Sequence, residues 1–167
     1  MTSLYAKFLL TTLLIATWAG ASPAQVQIYL NLEEAPKAVF PSATRIDRKD
    51  IPVDEALRHK LQQLMGATKP SIWEPFYITY TALKDDQVLG YAVICEEIGK
   101  HRPITFIVAV SPEGQVLDVA LMMYREPIGS EVRYPGFLKQ FRGKTLLDPI
   151  QARRDIRIIA GATLSAQ

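Results

Sequence analysis

Two hydroxyl side chains near the end of the sequence have the surroundings that a phosphate-binding turn needs. Thr163 and Ser165 stand two positions apart and follow the small residues Gly161 and Ala162. Before them, residues 156–159 form a largely β-branched run, which is typical of a strand that ends in a tight turn. A turn without bulky Cβ atoms lets backbone N–H groups approach a phosphate, and a helix beginning after it would add its positive end.

The short triplet G-A-T also has a plainer interpretation. Ser and Thr hydroxyls commonly cap helix N-termini by accepting hydrogen bonds from unpaired backbone amides. The sequence contains the same triplet at positions 66–68, where it follows an amphipathic helix and Gly66 is expected at the C-terminal cap. The triplet alone therefore does not identify a binding site.

Four stretches of the chain, in order, resemble one protein family. Residues 161–165, G-A-T-L-S, look like the S/T-G-A-T-x-S/T flavinylation motif of the FMN-binding domain found in the flavin-bearing C and G subunits of sodium-translocating NADH:quinone reductase and Rnf-type complexes. Residues 124–132 resemble the Y-R-E-x-x-G-x-E-I/V loop of that family, residues 90–106 its G-Y and G-K core strands, and residues 137–144 its F-L-x-Q-F-x-G-K helix. Because four ordered matches are far less probable by chance than one, the resemblance extends over residues 88–165.

This resemblance implies a cofactor, a site and partners. FMN is expected as a phosphoester on Thr163, attached by an FAD-dependent flavin transferase, in a protein that carries electrons between membrane-associated redox partners and needs no acid–base catalytic residue. Tyr124 and Tyr134 either stack on the isoalloxazine ring or pack in the core. The remaining expected cofactor-binding residues lie in the terminal motif and in the loop that meets the ring: Gly161, Ala162, Leu164, Ser165, Glu126 and Gly129.

The sequence departs from the family pattern near the expected attachment residue. Family members usually carry an acid six positions before the threonine and a hydroxyl residue three positions before it, where this chain has Arg157 and Ala160. These differences leave open an exported binding or interaction module that keeps the fold without flavin. A flavin-dependent reductase is a third interpretation, but no dedicated substrate motif supports it. Arg153 and Arg154 either pair with the phosphodiester or keep the surface soluble.

The elements expected around this motif give an α+β fold. Four runs rich in aromatic and β-branched residues, separated by turns, predict a four-strand antiparallel meander over residues 76–83, 88–96, 104–110 and 115–124, joined by a C-terminal strand. Asp54 is expected to cap a helix with one apolar face, ending at Gly66. Residues 26–40 predict a loose helix interrupted near Pro36, and residues 41–46 a turn entering a short extended segment. These helices are expected to cover one face of the sheet.

The start of the chain and its composition define the expected location. Lys7 and the apolar residues 8–18, followed by small residues, predict a signal peptide or anchor over residues 1–24, with cleavage after Ala21 or Ala24, and an FMN-binding domain over residues 25–167. The domain is therefore expected to be periplasmic or on the outer face of the cytoplasmic membrane. The net charge of +2 gives no indication of nucleic-acid binding. Cys95, the single cysteine, is expected in the core, and no Cys/His cluster indicates a metal.

Overall fold

The computed structural model of the chain describes residues 26–66, 73–127 and 130–157. Within them, one six-stranded antiparallel sheet forms a half-barrel, with strand order β1-β6-β5-β4-β3-β2. The strands are β1 (Gln27–Ile28), β2 (Arg45–Pro52), β3 (Phe76–Lys84), β4 (Gln87–Ile98), β5 (Pro103–Val110) and β6 (Val116–Tyr124). The helices are α1 (Glu34–Val39), α2 (Glu55–Met65) and α3 (Pro135–Leu138), with 3₁₀ turns at Ser130–Arg133 and Lys139–Phe141.

The predicted meander is confirmed as β3 to β6, and its turns follow from local chemistry. Asp85 and Asp86 both adopt positive φ angles, 48° and 63°, as a two-residue hairpin requires. The β5–β6 turn ends at Gly114, whose φ is 85°. Gly90 permits the close approach of β5, because a Cβ there would collide with the backbone oxygen of Val110.

One face of the sheet packs against α1. Helix α1 lies on β5 and β6, and it buries Ala35 and Val39. Their neighbours in this core are residues of alternating positions on the four central strands and the residue after α1: Phe40, Tyr80, Ala82, Ala92, Ile94, Ile107, Ala109 and Met122. Pro36 does not interrupt the helix, since it stands in the first turn, where the missing N–H has no intrahelical partner to lose. The side chain of Asn31 caps the start of the helix, because its Oδ1 accepts hydrogen bonds of 2.9 Å from the amides of Glu33 and Glu34.

The opposite face is covered at its two sides by different elements. Beside β5 and β6, α3 and the C-terminal segment bury a second cluster: Ile104, Leu121, Tyr124, Val132, Phe137, Leu138 and Ile156. Beside β3 and β4, the apolar residues of α2 face an open groove of about 340 Å³. The expectation that helices cover only one side of the sheet is therefore wrong, because α1 lies on one face and α2 and α3 lie on the other.

The number of strands also differs from the sequence prediction. Residues 27–28 pair with one edge of the meander as β1, and residues 45–52 pair with the other edge as β2. Because β1 takes the start of the predicted loose helix over residues 26–40, only α1 remains of that helix. Of the expected C-terminal strand, Ile156 forms an isolated parallel bridge with Ala152, and residues 158 and 159 lie outside the described residues.

Candidate functional site

The predicted site residues divide into two groups in the structure. Tyr124 and Glu126 are described, whereas the terminal motif and the centre of the preceding loop lie outside the described residues. The second group comprises Gly129, Gly161, Ala162, Thr163, Leu164 and Ser165. The described residues therefore show which contacts hold the backbone that precedes the motif.

The backbone at Arg157 is held by one side-chain amide. Gln140 accepts a hydrogen bond from the amide of Arg157 at 2.8 Å and donates one to the carbonyl of Arg157 at 3.3 Å. It also donates to the carbonyl of Phe137 at 3.2 Å. Gln140 thus pairs with both backbone groups of a residue six positions before Thr163, as a neighbouring strand would.

A second polar contact fixes the turn that precedes Arg157. The carboxylate of Asp155 accepts from Lys144 Nζ at 2.7 Å, and from the amides of Ile150 and Gln151 at 3.1 and 2.7 Å. The hydrogen bond from Lys144, followed by that from Gln151, lowers the pKa of Asp155 below its usual value. Lys144 and Gln140 both belong to the stretch that resembles the F-L-x-Q-F-x-G-K helix.

The apolar residues of the same stretch anchor it to the sheet. Phe137 and Leu138 are buried beside Leu121 and Ile156, and the rings of Phe137 and Phe141 meet edge to face with centroids 5.7 Å apart. Sequence reasoning identifies this motif but assigns no role to Gln140 or Lys144. The sequence signal that could have revealed these roles is the position of Gln140 and Lys144, two polar residues beside the aromatic residues Phe137 and Phe141.

Glu126 is enclosed by the β4–β5 loop, and its side chain is 5% exposed. One carboxylate oxygen accepts from the backbone amides of His101 and Arg102, the latter at 2.8 Å. Burial acts to raise the pKa of Glu126, but the backbone hydrogen bonds from His101 and Arg102 outweigh it and hold that pKa below the usual value. The carboxylate therefore stays charged and fastens the end of β6 to the loop.

Gly99 makes this contact possible. An added Cβ would lie 2.8 Å from the bonded oxygen of Glu126 and 2.9 Å from Ile104 Cδ1. Arg125 points to a different set of partners, with its guanidinium 3.0 Å from both the Pro103 carbonyl and Thr105 Oγ1. The Y-R-E and G-K matches are therefore joined in space, at one end of the sheet.

The two tyrosines occupy different environments. Tyr124 is fully buried in the second core cluster, as the packing alternative expects, and its contact with an isoalloxazine ring stays a prediction. Tyr134 is 51% exposed, and the guanidinium of Arg133 lies 5.3 Å from the centre of its ring. The same guanidinium lies 4.9 Å from the ring of Tyr29.

The groove under α2 is the described cavity best suited to an apolar ring. Three residues of α2 face it, together with side chains of β2, β3 and β4; its lining is Ile51, Leu57, Leu61, Met65, Tyr77, Thr79, Val93 and Cys95. Burial raises the pKa of Cys95 to about 12, so this thiol is a neutral wall of the groove. Nearby, Glu74 Oε1 is buried without a hydrogen-bond partner among the residues that the structure describes. Burial, followed by the charge of Glu96, raises the pKa of that carboxyl group.

The groove and the C-terminal segment lie on the same face of the sheet. Leu121, Phe106 and Cys95 are direct cross-strand partners on β6, β5 and β4, and such partners project from the same face. Leu121 belongs to the cluster that holds Ile156, and Cys95 lines the groove. A continuous row of side chains therefore connects the two.

Two further features concern metals and membranes. Over residues 26–66, 73–127 and 130–157, no three His, Cys, Asp or Glu side chains are grouped as a metal site would require. Among the helices that the structure describes, none has both the length and the apolar character needed to span a bilayer.

The fold and site define a class of protein: a small α+β domain whose single antiparallel sheet fixes a C-terminal segment that continues into a small, hydroxyl-bearing motif. No family model matches the chain. A stretch of 95 residues is 27% identical to the G subunit of the proton-translocating ferredoxin:NAD(+) oxidoreductase complex of Clostridium ljungdahlii, covering 53% of this chain and 51% of that protein. The chain thus spans about half the length of the curated relative it matches, and the similarity supports a distant relation to the family of Rnf G subunits.

Proposed function

We propose that this protein is an FMN-binding electron-transfer domain that carries its flavin as a phosphoester on Thr163. The observation that carries the proposal is the pairing of Gln140 with the backbone of Arg157, which fixes the chain six residues before the expected attachment point. The related G subunit belongs, by its name, to a ferredoxin:NAD(+) oxidoreductase, and a flavin carrier suits such an electron-transfer assembly.

The groove under α2 has suitable dimensions for the ring system. Its volume of about 340 Å³ lies in the range of small-molecule pockets, and its lining is almost entirely apolar. The row from β6 to β4 crosses about 10 Å at the usual strand spacing. The six residues from Arg157 to Thr163 can span at most about 20 Å, so the attachment point can reach the groove.

FMN would supply electron transfer at this site, while the chain would supply position and environment. Leu57, Leu61 and Val93 would exclude water from the faces of the ring. The Oε1 of Glu74, unsatisfied within the described chain, would accept a hydrogen bond from a polar edge of the ring. No acid–base step is assigned to any of these residues, which fits an electron carrier better than an enzyme.

The proposal includes maturation and location. Thr163 would be flavinylated by an FAD-dependent flavin transferase after export, and the domain would exchange electrons with membrane redox partners at the outer face of the cytoplasmic membrane. Cleavage after Ala21 or Ala24 would leave a mature chain whose N-terminus is identifiable by intact mass.

Co-expression with an active flavin transferase tests the attachment. The mature protein is expected to gain the mass of FMN less one water and to keep its yellow colour after denaturation. Thr163→Val should abolish the added mass, whereas Thr68→Ala, which changes the threonine of the second G-A-T triplet, should retain it. Absence of the adduct in the unmodified sequence, with the transferase active on a known substrate, would favour the flavin-free module that Arg157 and Ala160 left open.

A further inference from the structure

Two fully exposed leucines form the tip of the loop at residues 145–150. Leu146 is 86% exposed and Leu147 is 96% exposed, and Ile150 in the same loop is 40% exposed. Among the large hydrophobic residues of the described chain, these two leucines are the most exposed. Neighbouring aliphatic side chains at the tip of a turn present apolar surface that the domain itself does not cover.

The loop is held in this shape by its own polar groups. Thr145 donates its amide to Asp148 Oδ2 at 2.8 Å, and the amide of Leu147 donates to Thr145 Oγ1 at 3.2 Å. At the other end, Asp155 holds the amide of Ile150. Ile150 has a φ of 45°, a backbone conformation that β-branched residues rarely adopt, so the surrounding bonds determine it. The leucines are therefore presented on a defined turn.

Exposed arginines follow the apolar tip. Arg153, Arg154 and Arg157 are all exposed, and none of them is within ion-pair distance of a carboxylate in the described chain. By contrast, Lys144 and Arg142 are paired with Asp155 and Asp118. The three arginines thus provide positive charge on the same segment as Leu146 and Leu147.

We propose that residues 145–157 form a membrane-docking element that inserts Leu146 and Leu147 into the headgroup region of an anionic bilayer. Arg153, Arg154 and Arg157 would then contact the lipid phosphates. An apolar tip on the same segment as basic residues that form no ion pair within the described chain is an arrangement by which peripheral proteins bind such surfaces. A tip whose exposed large hydrophobic residues are all aliphatic fits a fluid layer better than a protein partner, whose interfaces favour aromatic anchors in packed pockets.

Docking at this loop would bring the C-terminal segment close to the bilayer, where membrane-bound redox partners lie. The element is carried by residues 145–157 alone, so it holds whether or not Thr163 carries flavin. Its tests therefore use protein without a flavin transferase, and failure of flavinylation would leave them unaffected.

A site-specific label tests the insertion. The full chain carrying Leu147→Cys together with Cys95→Ser, which removes the native free cysteine, is labelled with a polarity-sensitive fluorophore. Vesicles of phosphatidylglycerol and phosphatidylcholine are expected to shift the emission to the blue, with quenching by lipids brominated near the headgroup. The same label at Lys100→Cys, in the β4–β5 loop at the other end of β6, should stay in water.

Partitioning onto the same vesicles measures how much the leucines and the arginines each contribute to membrane binding. Leu146→Ser with Leu147→Ser is expected to weaken binding about tenfold or more, from the loss of apolar burial. Leu64→Ser, another exposed leucine, should leave binding unchanged. Arg153→Gln with Arg154→Gln should weaken binding about 25-fold, or about fivefold per arginine. Lys37→Gln with Lys60→Gln, which changes the net charge equally, should cause a smaller loss.

All variants retain residues 1–24, so any membrane affinity of that segment is common to them. The proposal is overturned if the label at position 147 remains in water on vesicles that bind the protein. It is also overturned if the two leucine substitutions leave partitioning unchanged. Emission that shifts to the blue without lipid, as the protein concentration rises, would indicate a protein–protein surface in its place.

Discussion

At the level of single residues, Glu126 explains why a charged side chain follows directly after a strand. Its carboxylate is 5% exposed and accepts hydrogen bonds from two backbone amides of the β4–β5 loop, and these N–H groups stabilise its charged form. Gly99 leaves the space that this contact needs. The residues that resemble the Y-R-E and G-K motifs therefore contact one another within the frame of the domain, and the contact of Glu126 with a flavin stays a prediction.

Substitution of Glu126 by Gln is expected to lower the free energy of unfolding by about 1–2 kcal/mol, because a neutral acceptor replaces a charged one in a buried site. The effect should depend on pH. Since the folded pKa of Glu126 lies below its unfolded value, the folded state gains stability above the unfolded pKa and loses it as the pH falls through the folded pKa. Urea denaturation should show the two proteins converging below about pH 4.

Glu33→Gln is the control for this measurement, since it removes the same charge from an exposed position before α1. It should leave stability at neutral pH within about 0.5 kcal/mol of the unmodified protein. A constant difference between the Glu126 variant and the unmodified protein from neutral to acid pH would contradict the assigned pKa shift.

Replacement of Gly99 by Ala is expected to cost about 1–3 kcal/mol, because the new methyl group would press on Glu126 Oε1 and Ile104 Cδ1. Gly136→Ala is the matched control. Its Cβ would meet no atom within 4 Å and it lies in α3, so it should be neutral or stabilising by up to about 1 kcal/mol. Both values follow from urea midpoints. Equal losses at the two positions would refute the close packing inferred at Gly99.

At the level of elements, the short helical stretch at residues 135–141 acts as a clamp for the C-terminal segment. Its apolar residues enter the core, and Gln140 pairs with the backbone of Arg157. Gln140→Glu would keep the acceptor for the amide of Arg157 but would place an oxygen against the carbonyls of Phe137 and Arg157. Exchange of the Arg157 amide hydrogen should become about tenfold faster, which corresponds to roughly 1.4 kcal/mol of local stability.

Gln63→Glu, at an exposed position on α2, tests whether added negative charge alone produces this change. It should leave exchange at Arg157 unaltered. Under the proposed function, the Gln140 variant should also be flavinylated more slowly at unchanged global stability. Unchanged exchange at Arg157 in the Gln140 variant would show that other contacts hold the segment.

At the level of the whole molecule, the centre of the sheet could be predicted from the sequence and its edges could not. Strands β3 to β6 are encoded by aromatic and β-branched runs between turn residues, which act locally. Strand β2 contains Arg45, Asp47, Arg48 and Asp50, and it is a strand because it pairs along its full length with β3. Charged residues suit such an edge strand, since they discourage pairing with other molecules. They also remove the alternation of apolar and polar residues from which a strand is predicted.

The same limit applies to the candidate site. The motif at residues 137–144 was recognisable, yet the partner of Gln140 lies 17 positions away along the chain. The backbone amides that bind Glu126 lie 24 and 25 positions before it. Almost every residue type has a backbone N–H and a C=O, so the residue type at a position does not show that its backbone binds a distant side chain. The attachment motif itself, residues 161–165, stays a prediction from sequence.

Helix α2 and the sheet are expected to open independently, which is the property a lid over a ligand groove requires. α2 has no buried residue, and Leu64 on it is 63% exposed, whereas the central strand β5 buries Ile104 and Ile107 almost completely.

Asp54 caps the helix through a 2.8 Å hydrogen bond from the amide of Leu57. Asp54→Ala should therefore weaken α2 by about 1 kcal/mol, making its amides exchange about fivefold faster, while the amides of β5 stay at the rate set by global unfolding. Glu55→Gln, which removes a neighbouring negative charge but leaves the cap, should change exchange far less. If the amides of α2 in the unmodified protein are protected as strongly as those of β5, the helix is part of the cooperative core, and a ring can enter the groove only by unfolding the domain.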